Sequence, residues 1–255
     1  MNRSIYIMIM TVMMFLSSCF VKEDRDGCPC WMTVEMPGQV GHDSAVILRL
    51  HGNYDEGAMD YAYKVSDSIK ADVGILEYEV PRGSVGVSVV NSARLVVPVG
   101  EQMDSLYGFF KPYHTRCESV KCDVELHKEF CTVSFTLVDE HYESPYDIEV
   151  RGNVSGVSPW NLVPVSGAFK YAPVAEEGVY RLRVPRQVDA SLEIVMLSNQ
   201  EIVNRLPLGE YIIRSGYDWT ATDLSDVSVA LDLEKQQVMV TVSGWDGVAM
   251  MDIVI

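Results

Sequence analysis

The chain has 255 residues, 48% apolar and 22% charged, and its 20 Lys and Arg stand against 36 Asp and Glu for a net charge of −16. That length fits one large or two ordinary domains, and the apolar share is that of a packed core, not of a disordered chain. The acidic balance excludes a general surface for nucleic acid or anionic membranes, because neutralising phosphate takes a basic excess that is missing here.

Residues 1–18 read as a secretory signal: Arg3, an apolar run over 5–16, then Leu16-Ser17-Ser18 before Cys19. The run is too short for a membrane-spanning helix, which takes ~20 residues. The small residues before Cys19 resemble a bacterial lipobox, which makes Cys19 the acylated first residue of the mature chain. Its lipid is the one covalent group expected, with no other cofactor. Cleavage removes Arg3 and no acid, leaving 19 basic against 36 acidic side chains and a net charge of −17. Residues 19–30 then form a polar, lipidated tether. Within it, Lys22-Glu23-Asp24 resembles the export signal that carries Bacteroidetes lipoproteins to the outside of the outer membrane.

An exported chain can keep disulfides. Besides Cys19 there are Cys28, Cys30, Cys117, Cys122 and Cys131. This odd set allows at most two bridges, in pairings that sequence leaves open. Cys28-Pro29-Cys30 has a single intervening residue, whereas structural zinc sites favour two to four. A bridge from the N-terminal strand to the 117–122 region is the economical reading, since it pins the tether to the body.

Period-two patterning dominates the rest. Strands are predicted over 73–80 and 85–90, around the turn Pro81-Arg82-Gly83-Ser84. In 120–126, Val120, Cys122, Val124 and Leu126 alternate with polar residues, and Cys131, Val133, Phe135 and Leu137 do so after the turn at His127-Lys128-Glu129. These two segments read as one hairpin with a buried and a wet face. Arg151-Gly152-Asn153 reads as a turn between strands. Further strands are expected over 179–184, 192–197, 227–233 and 238–242. Leu208, Tyr211 and Ile212 fall at helical spacing and predict one short helix over 208–215, ended near Gly216. The pattern is all-β, with two β-sandwich domains expected at 31–117 and 118–255.

No catalytic set emerges. The five histidines (His42, His51, His114, His127 and His141) share no metal spacing, and nucleophile-elbow, phosphate-loop, dinucleotide and zinc-protease motifs are missing from the sequence. The reading is therefore non-enzymatic. A glycan-binding surface lipoprotein is the alternative, and its aromatic platform would come from Trp160, Tyr217, Trp219 and Trp245. The C-terminal residues Val248, Met250, Ile253 and Ile255 belong to an apolar strand-like segment, either a core strand or one donated to a neighbour.

Three features occur in order along the mature chain: the segment from Glu23 through Cys28-Pro29-Cys30-Trp31, the 121–133 region, and Pro207-Leu208-Gly209-Glu210-Tyr211 followed by Gly216-Tyr217-Asp218-Trp219. With Cys19 they resemble the FimB-type fimbrial anchor family of Bacteroidales. The resemblance implies two transthyretin-like β-sandwiches in tandem. It also implies a lipoprotein at the base of a fimbrium that attaches the polymer to the outer membrane and helps limit its length. The implied partners are a fimbrial shaft subunit, engaged by β-strand addition, and the outer membrane, engaged through lipid. A minor or tip subunit of the same assembly is the nearest variant.

Overall fold

The structure is a computed structural model that describes residues 28–36, 45–52, 63–70, 74–138, 146–244 and 248–252. The signal segment, Cys19 and the tether up to residue 27 lie outside the described residues, as do His42, His141, Trp245, Ile253 and Ile255.

Two β-sandwiches follow one another along the chain. In the first, β1 (Cys30–Glu35), β4 (Ile75–Val80) and β7 (Ser119–Asp123) form a sheet in the order β4-β1-β7. It faces a second sheet of β2 (Ala45–Gly52), β3 (Lys64–Lys70), β5 (Ser84–Val90), β6 (Tyr107–His114) and β8 (His127–Lys128), ordered β3-β2-β5-β6-β8. Alternation drives the packing, because successive side chains in a strand point to opposite faces. Met32 and Val34 of β1 point inward against Leu48, Leu50, Val85 and Val87, while Trp31 on the opposite face is exposed. The turn between β4 and β5 carries the chain from one sheet to the other, and Gly83 takes a positive φ of 130° there.

The second sandwich pairs a sheet of β10 (Asp147–Val157), β11 (Pro164–Tyr171), β14 (Glu193–Ser198) and β15 (Glu201–Leu206), ordered β11-β10-β14-β15, with a six-stranded sheet. The latter contains β9 (Phe130–Val138), β12 (Ala175–Glu176), β13 (Val179–Pro185), β16 (Val227–Asp232), β17 (Gln237–Val242) and β18 (Val248–Asp252), in the order β12-β13-β9-β16-β17-β18. The helix α1 (Leu208–Arg214) sits where its spacing predicts, with Leu208, Tyr211 and Ile212 buried. Gly216, at φ 91°, turns the chain out of it.

Three expectations change. The segments on either side of His127 do not form a hairpin: β7 runs parallel to β1, whereas β9 pairs with β13 and β16. Cys122 and Val124 pack in the first core and Cys131, Val133 and Phe135 in the second, so the first core takes in chain beyond 117, as far as Leu126. Arg151-Gly152-Asn153 lies inside β10, where the pairing with β11 shifts register on either side of Val154. Such bulges take up an extra residue without ending the strand.

The two sandwiches are joined by more than their connection. Residues 91–106, between β5 and β6 of the first, lie across the second as a strap and bury Leu95, Val97, Met103 and Leu106 in its core. Backbone bonds fasten it: Val97 N donates to Ser155 O at 2.7 Å, Val157 N to Leu95 O at 2.9 Å, Gly100 N to Lys170 O at 2.7 Å and Met103 N to Arg183 O at 3.0 Å. Arg94 bonds to Asp104 at 2.5 Å and to Glu101, which stiffens the strap internally. A Cβ on Gly156 would stand 2.0 Å from Leu95 O, so only glycine lets the strap come this close. At the same junction His51 stacks on Phe110 and meets the edge of Trp160.

Candidate functional site

Two regions carry the residues singled out in the sequence: the start of β1, where the tether enters the fold, and the edge of the six-stranded sheet at β18. β1 is the middle strand of its sheet. It pairs antiparallel with β4 from Cys30↔Val80 to Glu35↔Ile75 and parallel with β7 from Trp31↔Ser119 to Glu35↔Asp123. A pull on the chain ahead of β1 therefore acts along two ladders at once, in shear. Lys121 ties off the far end, meeting Glu35 at 2.6 Å and Asp123 at 2.8 Å, and both partners push its ammonium pKa upward.

At the near end, Arg82 Nε donates to the Cys28 carbonyl at 2.6 Å and its Nη1 to the Arg116 carbonyl at 3.0 Å. Thr115, fully buried, donates its backbone N–H to Gly83 O at 3.0 Å and its hydroxyl to Pro81 O at 2.7 Å. These bonds draw the 81–84 turn, the 115–117 turn and the first described residue of the tether into one corner. Sequence gives no sign of Arg82 in this role, because its acceptors are carbonyls that any residue could offer.

The cysteines separate into three environments. Cys28 and Cys117 are exposed, and the buried Cys30 lies against Cys117. Burial, followed by that neighbour, pushes the Cys30 thiol up to about 11. Cys122 sits in the first core against the Tyr113 hydroxyl, and burial pushes it up to about 11. Cys131 sits in the second core beside Tyr217, pushed by burial up to about 12. Enclosed in the two cores and held protonated, Cys122 and Cys131 are poor nucleophiles and poor metal ligands.

The C-terminal segment is the last strand of the six-stranded sheet. Met251 and Ala249 pack on the second core, while Val248 and Met250 point away from it and are exposed. β18 pairs with β17 from Gln237↔Asp252 to Thr241↔Val248 and has no described neighbour on its other side. A sheet edge of this kind, without a described neighbour, is a template for adding a further strand. Beside it a shallow groove of about 380 Å³ crosses the outer sheet face, floored by Ser134, Thr136, Ser228 and Ala230 and walled by Met239 and Val248.

Three of the aromatic residues named for a glycan platform, Trp160, Tyr217 and Trp219, are described, and they lie elsewhere. Tyr217 and Trp219 are buried and pack edge to face, and Tyr217 donates to Ser225 O at 2.7 Å. Trp160 is held between His51 and the Lys64 ammonium. Tryptophan buries a large apolar area, and the second core uses Trp219 in that way. The loop carrying Trp219 is organised by Arg186, which meets Glu129 at 2.8 Å and donates to the carbonyls of Trp219 at 2.6 Å and Ala221 at 2.7 Å.

A tandem pair of β-sandwiches, with one short helix among the described residues, defines the fold class of this protein, and solved structures are similar to it in fold. One is the fimbrial anchor protein Mfa2 from Porphyromonas gingivalis, with a TM-score of 0.60 at 8% identity over 89% of this chain and all of that one. A candidate polysaccharide-binding protein from Bacteroides thetaiotaomicron has a TM-score of 0.60 at 12% identity, covering 88% and 98% of the two chains. A candidate adhesin from Bacteroides ovatus has 0.55 at 13%, covering 91% and 97%. At these identities the likeness is one of fold. No protein-family model matches the chain, and no curated protein matches it in sequence.

Proposed function

We propose that this chain is a non-enzymatic fimbrial anchor subunit: a lipoprotein, acylated on Cys19, that fixes a fimbrium to the outer membrane and helps end its assembly. The observation that carries the proposal is the place of β1. The tether behind Cys19 leads directly into a strand paired on both sides, with Cys28 and Arg116 held by one guanidinium. A strand that must carry tension from lipid to body belongs in the middle of a sheet, where shear loads many hydrogen bonds together. An edge strand would peel. The strap over residues 91–106 extends that path into the second sandwich, whose β18 edge, without a neighbour among the described residues, suits strand addition by a shaft subunit. The likeness to Mfa2 in fold agrees with this role.

The test is deletion of the chain in its native cell together with a Cys19→Ala allele. The anchor reading expects fimbriae shed into the medium or grown long after deletion. In the Cys19→Ala strain it expects an intact subunit on shed fimbriae. Fimbriae of normal length that stay attached in both strains would refute it.

A further inference from the structure

Three of the five described cysteines lie at the corner where the tether enters the fold. Cys30 opens β1 and lies against Cys117 in the turn before β7, with Cys28 two residues upstream on the surface. The backbone holds them there. Trp31 N donates to Glu118 O at 2.9 Å and the parallel register sets Trp31 beside Ser119, so Cys30 and Cys117 both stand next to a fixed pair. Arg82 clamps the carbonyls of Cys28 and Arg116 from the other side. In this register Cys117 lies one position behind the residue opposite Cys30, and with strands about 4.8 Å apart and about 3.3 Å per residue along them the diagonal is about 6 Å, within the ~4.4–6.8 Å Cα separation that a disulfide spans. The other thiols cannot compete. Cys122 stands opposite Val34, four residues and so about 13 Å along β1 from Cys30, and Cys131 is enclosed in the second core.

We propose that Cys30 and Cys117 form an intramolecular disulfide and that Cys28 stays beside it as a free surface thiol. The oxidant is a disulfide, carried by a thiol oxidoreductase or by a small molecule of the glutathione class. Cys117 is exposed, and its thiolate attacks one sulfur of that disulfide, releasing the first thiol and leaving a mixed disulfide. Cys30 gives up its proton and attacks the Cys117 sulfur, expelling the second thiol. The protein's two thiols lose two protons and two electrons, and the oxidant's S–S bond becomes two thiols. The bridge closes a long loop and joins the first residue of β1 to the turn before β7 covalently. If the chain is an anchor, tension from the tether reaches this bond ahead of the β1 ladder. That consequence, though not the bridge itself, rests on the proposed function.

The test equilibrates the purified full chain in a buffer of oxidised and reduced glutathione, followed by acid quench, alkylation after unfolding, and peptide mapping. The expected result is that the Cys30 and Cys117 peptides are joined while Cys122 and Cys131 are alkylated. The bridge should persist in Cys28→Ser. In Cys117→Ser, an exposed position that leaves the core intact, it should vanish and Tm should fall by as much as on reduction of the parent, roughly 10 °C for a loop of this length. Alkylation of both Cys30 and Cys117 in the oxidising buffer would overturn the proposal. So would loss of the bridge in Cys28→Ser, which would assign it to Cys28 and Cys117. Glutathione replaces the cell's own oxidant, so failure here is independent of whether the chain is an anchor.

Discussion

Replacing Gly156 by alanine adds one methyl group where there is no room for it. The new Cβ would stand 2.0 Å from Leu95 O, 2.7 Å from Val96 Cα and 2.9 Å from the Leu95 carbonyl carbon, all backbone atoms that cannot rotate away. The strap must lift, and in lifting it stretches the bonds from Val97 N to Ser155 O and from Val157 N to Leu95 O. Each is worth about 1 kcal/mol net. Leu95 and Val97 are 5% and 3% exposed, and drawing each halfway out of the core forfeits about 1 kcal/mol or more apiece. The expected cost is therefore about 3–5 kcal/mol. Urea unfolding followed by tryptophan fluorescence measures it, and Trp160 at the junction should report the loss of contact between the sandwiches at lower urea than in the parent. Gly74→Ala is the control, since its Cβ meets nothing within 4 Å, and it should stay within about 0.5 kcal/mol. If Gly156→Ala matched that control, the strap would not be seated as described.

Arg186→Ala leaves Glu129 buried without its cation and frees the carbonyls of Trp219 and Ala221. Breaking such a pair costs about 3–5 kcal/mol, and a denaturation midpoint unchanged from the parent would remove Arg186 from its organising role. Acid should destabilise the protein. Hydrogen bonds from Thr220 hold the Asp218 carboxyl below 3.8, those from Lys235 do the same for Asp232, and at Asp226 the bonds from Lys128 and Thr132 outweigh burial. A depressed carboxyl contributes stability that is present above its unfolded value and lost as pH falls through the folded one, so Tm should drop steadily below about pH 4. His51, pushed down by burial and by Lys64, acts in the same direction below 6.5, whereas burial raises Glu129 and opposes it. A Tm that stayed flat from pH 5 to pH 2 would contradict these assignments.

Strands whose two faces differ were legible from sequence. β13, β16 and β17 fall where alternation puts them, and α1 follows from Leu208, Tyr211, Ile212 and the Gly216 stop. A strand's own pattern does not say which strand lies beside it. Residues 120–126 and 131–137 alternate equally well, and only the cores, formed from distant residues, send β7 to β1 and β9 to β13. β5 lies where its alternation predicts, but it is buried along its whole length, with Val85, Val87 and Val89 facing one core and Val90 the other, and its alternation does not say that the face with Ser84 and Ser88 is covered as well. The strap was illegible for a related reason: Leu95, Val97, Met103 and Leu106 follow neither strand nor helix period among Ser, Pro and Gly, and its seat depends on the missing Cβ of Gly156. The candidate cysteines were visible one by one, but their grouping at the tether's entry is a product of the β1–β7 ladder and Arg82.

The proposal of an anchor is tested most directly by where the chain sits on the fimbrium. Immunogold labelling of whole cells with antibody against the folded sandwiches should place the particles at the membrane end of each fimbrium, and Cys19→Ala should move them into the medium with the shed polymer. Particles at the free ends of attached fimbriae would contradict the account and make the chain a tip subunit.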